Sequence, residues 1–170
     1  MKRHTIAIAF GLVVALAATG AAQSAAGSKS YTAAVTLPGA EQWMDLPAPA
    51  LVGTPSVPVG GTLKVAILQG DPMTPGQPYV ARVSCTAGSK VAPHTHPATE
   101  NVTIIKGAFL MGMGAKWDDK ALKEMPTGSF GSMGTGMAHF AQCKGDTVVQ
   151  INGLAPLRFD FVAGTTAAKK

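Results

Sequence analysis

The chain has 170 residues, with 14 lysines and arginines against 9 acidic residues, for a formal charge of +5. That length supports one domain with a real core and is too short for two comfortable ones. No stretch combines clustered Lys/Arg with aromatic residues, which excludes the composition of a nucleic-acid-binding surface.

Lys2 and Arg3 precede an apolar run from Thr5 to Ala18, which gives way to small residues in A-T-G-A-A-Q-S-A-A-G. This is the pattern of a secretory signal peptide over residues 1–22, with cleavage expected near Ala22. A retained membrane anchor is the competing reading, but the run is shorter than the roughly 20 residues that a spanning helix requires. We therefore expect an exported protein, periplasmic or secreted, with no stable membrane span after cleavage. Without Lys2 and Arg3 the formal charge is +3, too mild to carry a functional message.

Eight of the twelve prolines fall between Pro38 and Pro78. Proline removes a backbone donor and clashes with the preceding helical turn, so long helices are excluded there. Residues 27–61 are expected to form an extended arm with short edge strands, laid on its own domain or on a neighbour's. From Thr62 the pattern becomes short apolar runs separated by turn residues: T-L-K-V-A-I-L, Y-V-A-R-V-S-C, N-V-T-I-I, A-F-L-M-G-M, T-V-V-Q-I and L-R-F-D-F-V. Strands of this length at nearly regular spacing predict an all-β barrel or sandwich over 62–163, followed by a short tail at 164–170. The one helical candidate is W-D-D-K-A-L-K-E-M, residues 117–125, expected to make one or two turns before Pro126.

Cys85 and Cys143 are too few for a disulfide framework and lack the paired spacing of a zinc ribbon. In an oxidising compartment they could form one bridge. The alternative is that both are small buried apolar residues.

The chemistry-bearing stretch is H-T-H-P-A-T-E, residues 94–100. In a strand, side chains two apart share a face, so His94 and His96 project together. Pro97 and Ala98 then interrupt the strand and let the chain return with Glu100 near the pair. Two imidazoles and a carboxylate on an interior face are costly to desolvate without partners. A divalent cation relieves that cost, since neutral imidazole nitrogen and carboxylate oxygen are common ligands for one. A lone H-x-H pair, by contrast, arises by chance and commonly lies on a solvated loop.

The surroundings raise the signal. Gly88, His94, His96, Glu100 and Gly107 are separated by five, one, three and six residues, and a second run, G-S-F-G-S-M-G-T-G-M-A-H-F-A-Q-C, spans 128–143. The first spacing resembles the first motif of the cupin superfamily. In the second, Gly128, Gly136 and His139 keep the family's places, while Gly134 stands where the family has proline and Cys143 where it has asparagine. The resemblance covers about residues 62–163. It implies a double-stranded β-helix, a jelly-roll barrel, preceded by the N-terminal arm. It also implies that His94, His96, Glu100 and His139 hold one divalent metal ion: Fe, Mn, Ni, Cu or Zn. Gly134 is expected to loosen the turn before His139.

Alternation from His139 places Met137 and Ala141 on the ligand side of its strand, and Cys143 follows on the same face. Met111 and Met113 also alternate, and filling the core is their expected role. Gln150 and Asn152 share a polar face, which either looks inward toward a substrate or outward to solvent. Met137, Ala141, Cys143, Gln150 and Asn152 are thus the candidate pocket-lining residues, and no catalytic residue is assigned. Asp118, Asp119 and Glu124 form a charged face of the short connection, not an acid/base cluster.

The leading expectation is a metal-dependent dioxygenase-type oxidoreductase acting on a small oxygen-bearing molecule. Its rivals are a metal-dependent isomerase, lyase or decarboxylase, a non-catalytic binding or sensing cupin, and a barrel that uses the ion only as a structural closure. Cupin resemblance further implies a small-molecule ligand and a homodimer.

Overall fold

The computed structural model describes residues 34–56 and 61–162. The expected signal segment, the first residues of the arm and the 164–170 tail lie outside the described residues. No helix among the described residues is long and apolar enough to cross a membrane.

Twelve strands appear in chain order among the described residues. The arm supplies β1 (Met44–Asp45) and β2 (Leu51–Val52). Then follow β3 (Leu63–Gln69), β4 (Pro78–Cys85), β5 (Lys90–Thr95), β6 (Glu100–Lys106) and β7 (Ala108–Met113). The last five are β8 (Lys123–Pro126), β9 (Phe130–Met133), β10 (His139–Cys143), β11 (Thr147–Leu154) and β12 (Phe159–Phe161). They form two six-stranded sheets, ordered β1-β3-β4-β11-β6-β9 and β2-β12-β5-β10-β7-β8. Every pairing is antiparallel except that of β12 with β2. This is the jelly-roll double-stranded β-helix that the strand spacing and the motifs imply.

Alternation decides what faces the interior. On β4 the buried residues are Tyr79, Ala81, Val83 and Cys85, and on β6 they are Glu100, Val102 and Ile104. One face of each strand is therefore hydrocarbon, except where Glu100 opens β6. Gly107 joins β6 to β7 across the two sheets with φ +78°, and a Cβ there would lie 2.6 Å from the Asp146 carbonyl oxygen. Only glycine fits that corner without strain.

The arm lies on its own barrel. β1 pairs with β3 at one sheet's edge, β2 pairs with β12 at the other's, and Glu41 forms an ion pair with Arg82 on the outer face of β4.

Of W-D-D-K-A-L-K-E-M, only Asp119–Ala121 turns, as one 3-10 turn capped by the Asp118 carboxylate, which accepts from the Lys120 N–H. Lys123–Pro126 instead extends as β8 along β7. So short a helix is marginal alone, and pairing with an open sheet edge satisfies more backbone groups. Pro126 is tolerated because β8 is the outermost strand of its sheet. The two cysteines are not separate buried thiols: Cys85 and Cys143 form a disulfide, with Cα atoms 6.3 Å apart, tying β4 of one sheet to β10 of the other.

Candidate metal centre

The histidines come from one sheet and the carboxylate from the other. β5 and β10 run side by side with His139 opposite His94, and the ladder shifts register just after His139. Such a bulge re-aims side chains at a barrel rim. His96 lies just beyond the end of β5, and Glu100 is the first residue of β6 on the facing sheet. All four are buried, at 5% exposure or less.

Each imidazole is oriented by a main-chain carbonyl. The Nδ1–H of His94 donates to the Ala92 oxygen at 2.7 Å, that of His96 to the Arg158 oxygen at 2.6 Å, and that of His139 to the Met137 oxygen at 3.0 Å. A carbonyl can only accept, so the proton of each neutral ring sits on Nδ1 and the Nε2 lone pair is left free. These atoms converge: the three histidines each offer a ligating nitrogen within 4.8 Å of the others. Glu100 Oε2 lies 3.2 Å from His96 Nε2 and 3.4 Å from His139 Nε2.

The electrostatics of the cluster suit a cation. Burial, reinforced by the neighbouring His139 and His96, pushes the His94 pKa down to about 3, so that ring is neutral. Burial also works against the His96 cation, but the hydrogen bond and charge of Glu100 outweigh it and raise that pKa. Burial would raise the Glu100 pKa, yet hydrogen bonds with His139 and His96 hold it well below the usual carboxylate range. With the rings neutral, the Nε2 lone pairs of His96 and His139 face the ionised Glu100 carboxylate acceptor to acceptor, and a hydrogen bond to Glu100 forms only when a proton is added to a ring. A proton on one ring relieves one contact, whereas a divalent cation relieves all of them. The donor set therefore fits a metal ion, and the carbonyl-anchored rings are the supporting contacts that such a site requires.

The turn before His139 is pinned. Met137 N–H donates to the Gly134 oxygen at 3.0 Å, and Gly136 N–H donates to the His96 oxygen at 3.0 Å. Glycine in place of the family's proline thus still leaves a closed turn, tied to the histidine loop across the site.

The structure brings His94, His96, Glu100 and His139 together, and Ala141 lines the cavity beside them. Other proposed lining residues fall elsewhere. Met137 folds back over its own turn, where its sulfur accepts from the Gly134 N–H, and stays half-exposed. Cys143 is committed to the disulfide at the opposite end of β10. Gln150 and Asn152 take the outer face of β11, since Val149 and Ile151 line the interior, and the Gln150 amide accepts from Arg82.

Two aromatic neighbours have no signal in the motifs. Phe159 packs its ring 5.0 Å from His94 and 5.1 Å from His96. Tyr79 and Glu100 flank Gly153 across the ladder, and a Cβ on Gly153 would lie 3.6 Å from the Tyr79 hydroxyl. Burial followed by the Glu100 charge pushes the Tyr79 pKa above the ordinary value. Chain spacing cannot reveal either contact, because both depend on which strands become neighbours.

No family model and no curated protein matches the chain. Solved structures do. An RmlC-like cupin from Shewanella frigidimarina is 14% identical, with a TM-score of 0.52 over 73% of this chain and 92% of its own. KdgF from a Halomonas species is 14% identical, with a TM-score of 0.50 over 72% of this chain and 94% of its own. Identity at that level speaks for the fold alone. With its two sheets and its motif glycines at the corners, the chain has the double-stranded β-helix fold of the cupins.

Proposed function

We propose that the protein is an exported, mononuclear divalent-metal cupin that acts as a dioxygenase-type oxidoreductase on a small oxygen-bearing organic molecule. The observation that carries this reading is the convergence of three carbonyl-anchored imidazoles, two of them with Nε2 within 3.4 Å of the Glu100 carboxylate, beside an otherwise apolar cavity. His94, His96, Glu100 and His139 would hold the ion. When bound, it would supply a Lewis acid with open positions for an oxygen ligand.

The chain's own contribution is orientation and exclusion of water. Fixed Nδ1–H bonds keep the rings aimed without reorganisation, and Val102, Val149, Ile151 and Phe159 wall the site with hydrocarbon. Glu100 is the one carboxylate among the described lining residues, so no second carboxylate is paired with it. That absence favours chemistry centred on the ion over a two-carboxylate mechanism. Export is supported by the N-terminal pattern and by the disulfide, which persists in oxidising compartments.

Metal analysis of protein purified from its native compartment, followed by oxygen-electrode screening of small enols, ketones and carboxylates, tests the proposal. Oxygen uptake that disappears in His139→Ala supports it. Turnover without oxygen uptake would replace it with the isomerase or lyase reading.

A further inference from the structure

The cavity at the metal centre is small, about 40 Å³. A site holding a single water needs roughly 10–15 Å³ on the same kind of measure, so this space accepts an ion's ligands and no organic body. A second cavity, about 390 Å³, adjoins it at the seam between the β1-β3 and β2-β12 edges. The two share Leu46, Leu63, Val91 and Phe159. Leu51, Pro55 and Phe161 close the larger one, so its described lining holds no charged or hydrogen-bonding side chain.

We infer that this seam pocket takes the hydrocarbon body of the ligand, and that the substrate class is a medium-chain or aryl molecule with one oxygen-bearing head. The inference rests on the metal-centre reading and narrows it. Three observations fix the occupant. The pocket lies within the usual few-hundred-Å³ range of small-molecule sites. Its lining rejects polyhydroxylated molecules, whose hydroxyls would lose water and gain no partner. It also shares Leu46, Leu63, Val91 and Phe159 with the cavity at the histidine cluster, and the Phe159 ring packs against both His94 and His96. A chain lying against Leu51 and Phe161 would have its head toward the histidine cluster. The arm, through Leu46, Leu51 and Pro55, is then the wall that sets specificity.

The test uses the full mature protein loaded with Co(II), whose visible absorption responds when a ligand head reaches the ion. Acetate, hexanoate, octanoate and decanoate are titrated, with galacturonate as the polar comparison. Affinity is expected to rise about fourfold per added methylene until the pocket is full. Leu51 is exposed enough, at 40%, to be replaced without emptying the core. Leu51→Asp should weaken decanoate at least tenfold, and Leu51→Trp should do the same by filling the space, while cobalt content and the acetate response stay as in the parent.

A flat chain-length series, or decanoate affinity unchanged in both variants, would overturn the seam assignment while leaving the metal centre intact. Galacturonate binding as tightly as decanoate would overturn it as well. Failure to take up cobalt would instead bring down the underlying metal reading, and the inference with it.

Discussion

The three histidines differ in how their anchors were encoded. His94 and His139 each donate to the carbonyl two residues earlier, a contact set by local strand geometry. His96 donates to Arg158, 62 residues away, through a segment steadied by the Arg158–Asp160 fork. Replacing His94, His96 or His139 by alanine should each weaken metal binding at least about 100-fold, beyond what loss of a supporting contact does, as measured by competition with a chromogenic chelator. Protons should act in the same direction as these substitutions. His94 is neutral when folded, with a pKa of about 3, against about 6.5 in an unfolded chain. Its contribution to stability is thus complete above about pH 6.5 and is lost as pH falls toward 3. His96, with its pKa raised, works oppositely, and its contribution is lost as pH rises through the raised value. In metal-free protein, His94→Gln should therefore flatten the acid limb of the melting-temperature profile, whereas an unchanged limb would show that His94 is not held neutral.

At the scale of elements, β10 carries two separate loads. Its inward face presents His139, Ala141 and Cys143, while Phe140 on its outer face is fully buried against Gly112 of β7 and the ring of Trp117, with Lys90 over the indole. A methyl group at Gly112 would meet the Phe140 ring, so Gly112→Ala is expected to lower stability by about 1–3 kcal/mol, read from urea unfolding. The disulfide closes a 58-residue separation between the two sheets, for which loop-closure entropy gives about 4 kcal/mol. Replacing both cysteines by alanine should lower the unfolding free energy by an amount of that order while leaving metal content unchanged, because the bridge and the histidines occupy opposite ends of β10. Loss of metal in that variant would mean the two ends are coupled. The one or two turns expected over 117–125 are cut to a single 3-10 turn at this scale, because the free edge of β7 offers Lys123–Pro126 a ladder that a further helical turn could not match.

For the molecule as a whole, the cluster joins the two sheets, three ligands from one and Glu100 from the other. An ion held there binds the folded chain and not the unfolded one. At a metal concentration 1,000 times its dissociation constant, stability should rise by about 4 kcal/mol, seen as a higher melting temperature that a chelator reverses. Absence of any such shift with added Fe(II), Mn(II), Ni(II), Cu(II) or Zn(II) would contradict a cation site. The arm belongs to this scale as well, since its two short strands extend one sheet each and wall the seam between them.

The sequence by itself determined the strand pattern, the corner glycines and the candidate ligand quartet. These depend on local periodicity and on spacings along the chain, which survive in a linear reading. Tertiary structure alone decided that Cys85 reaches Cys143, that Gln150 and Asn152 face outward, that Arg158 anchors His96, and that the arm borders an apolar cavity. Each of those joins segments far apart in the chain. Strand order and register set them, and alternation fixes which residues share a face without saying which face is the interior.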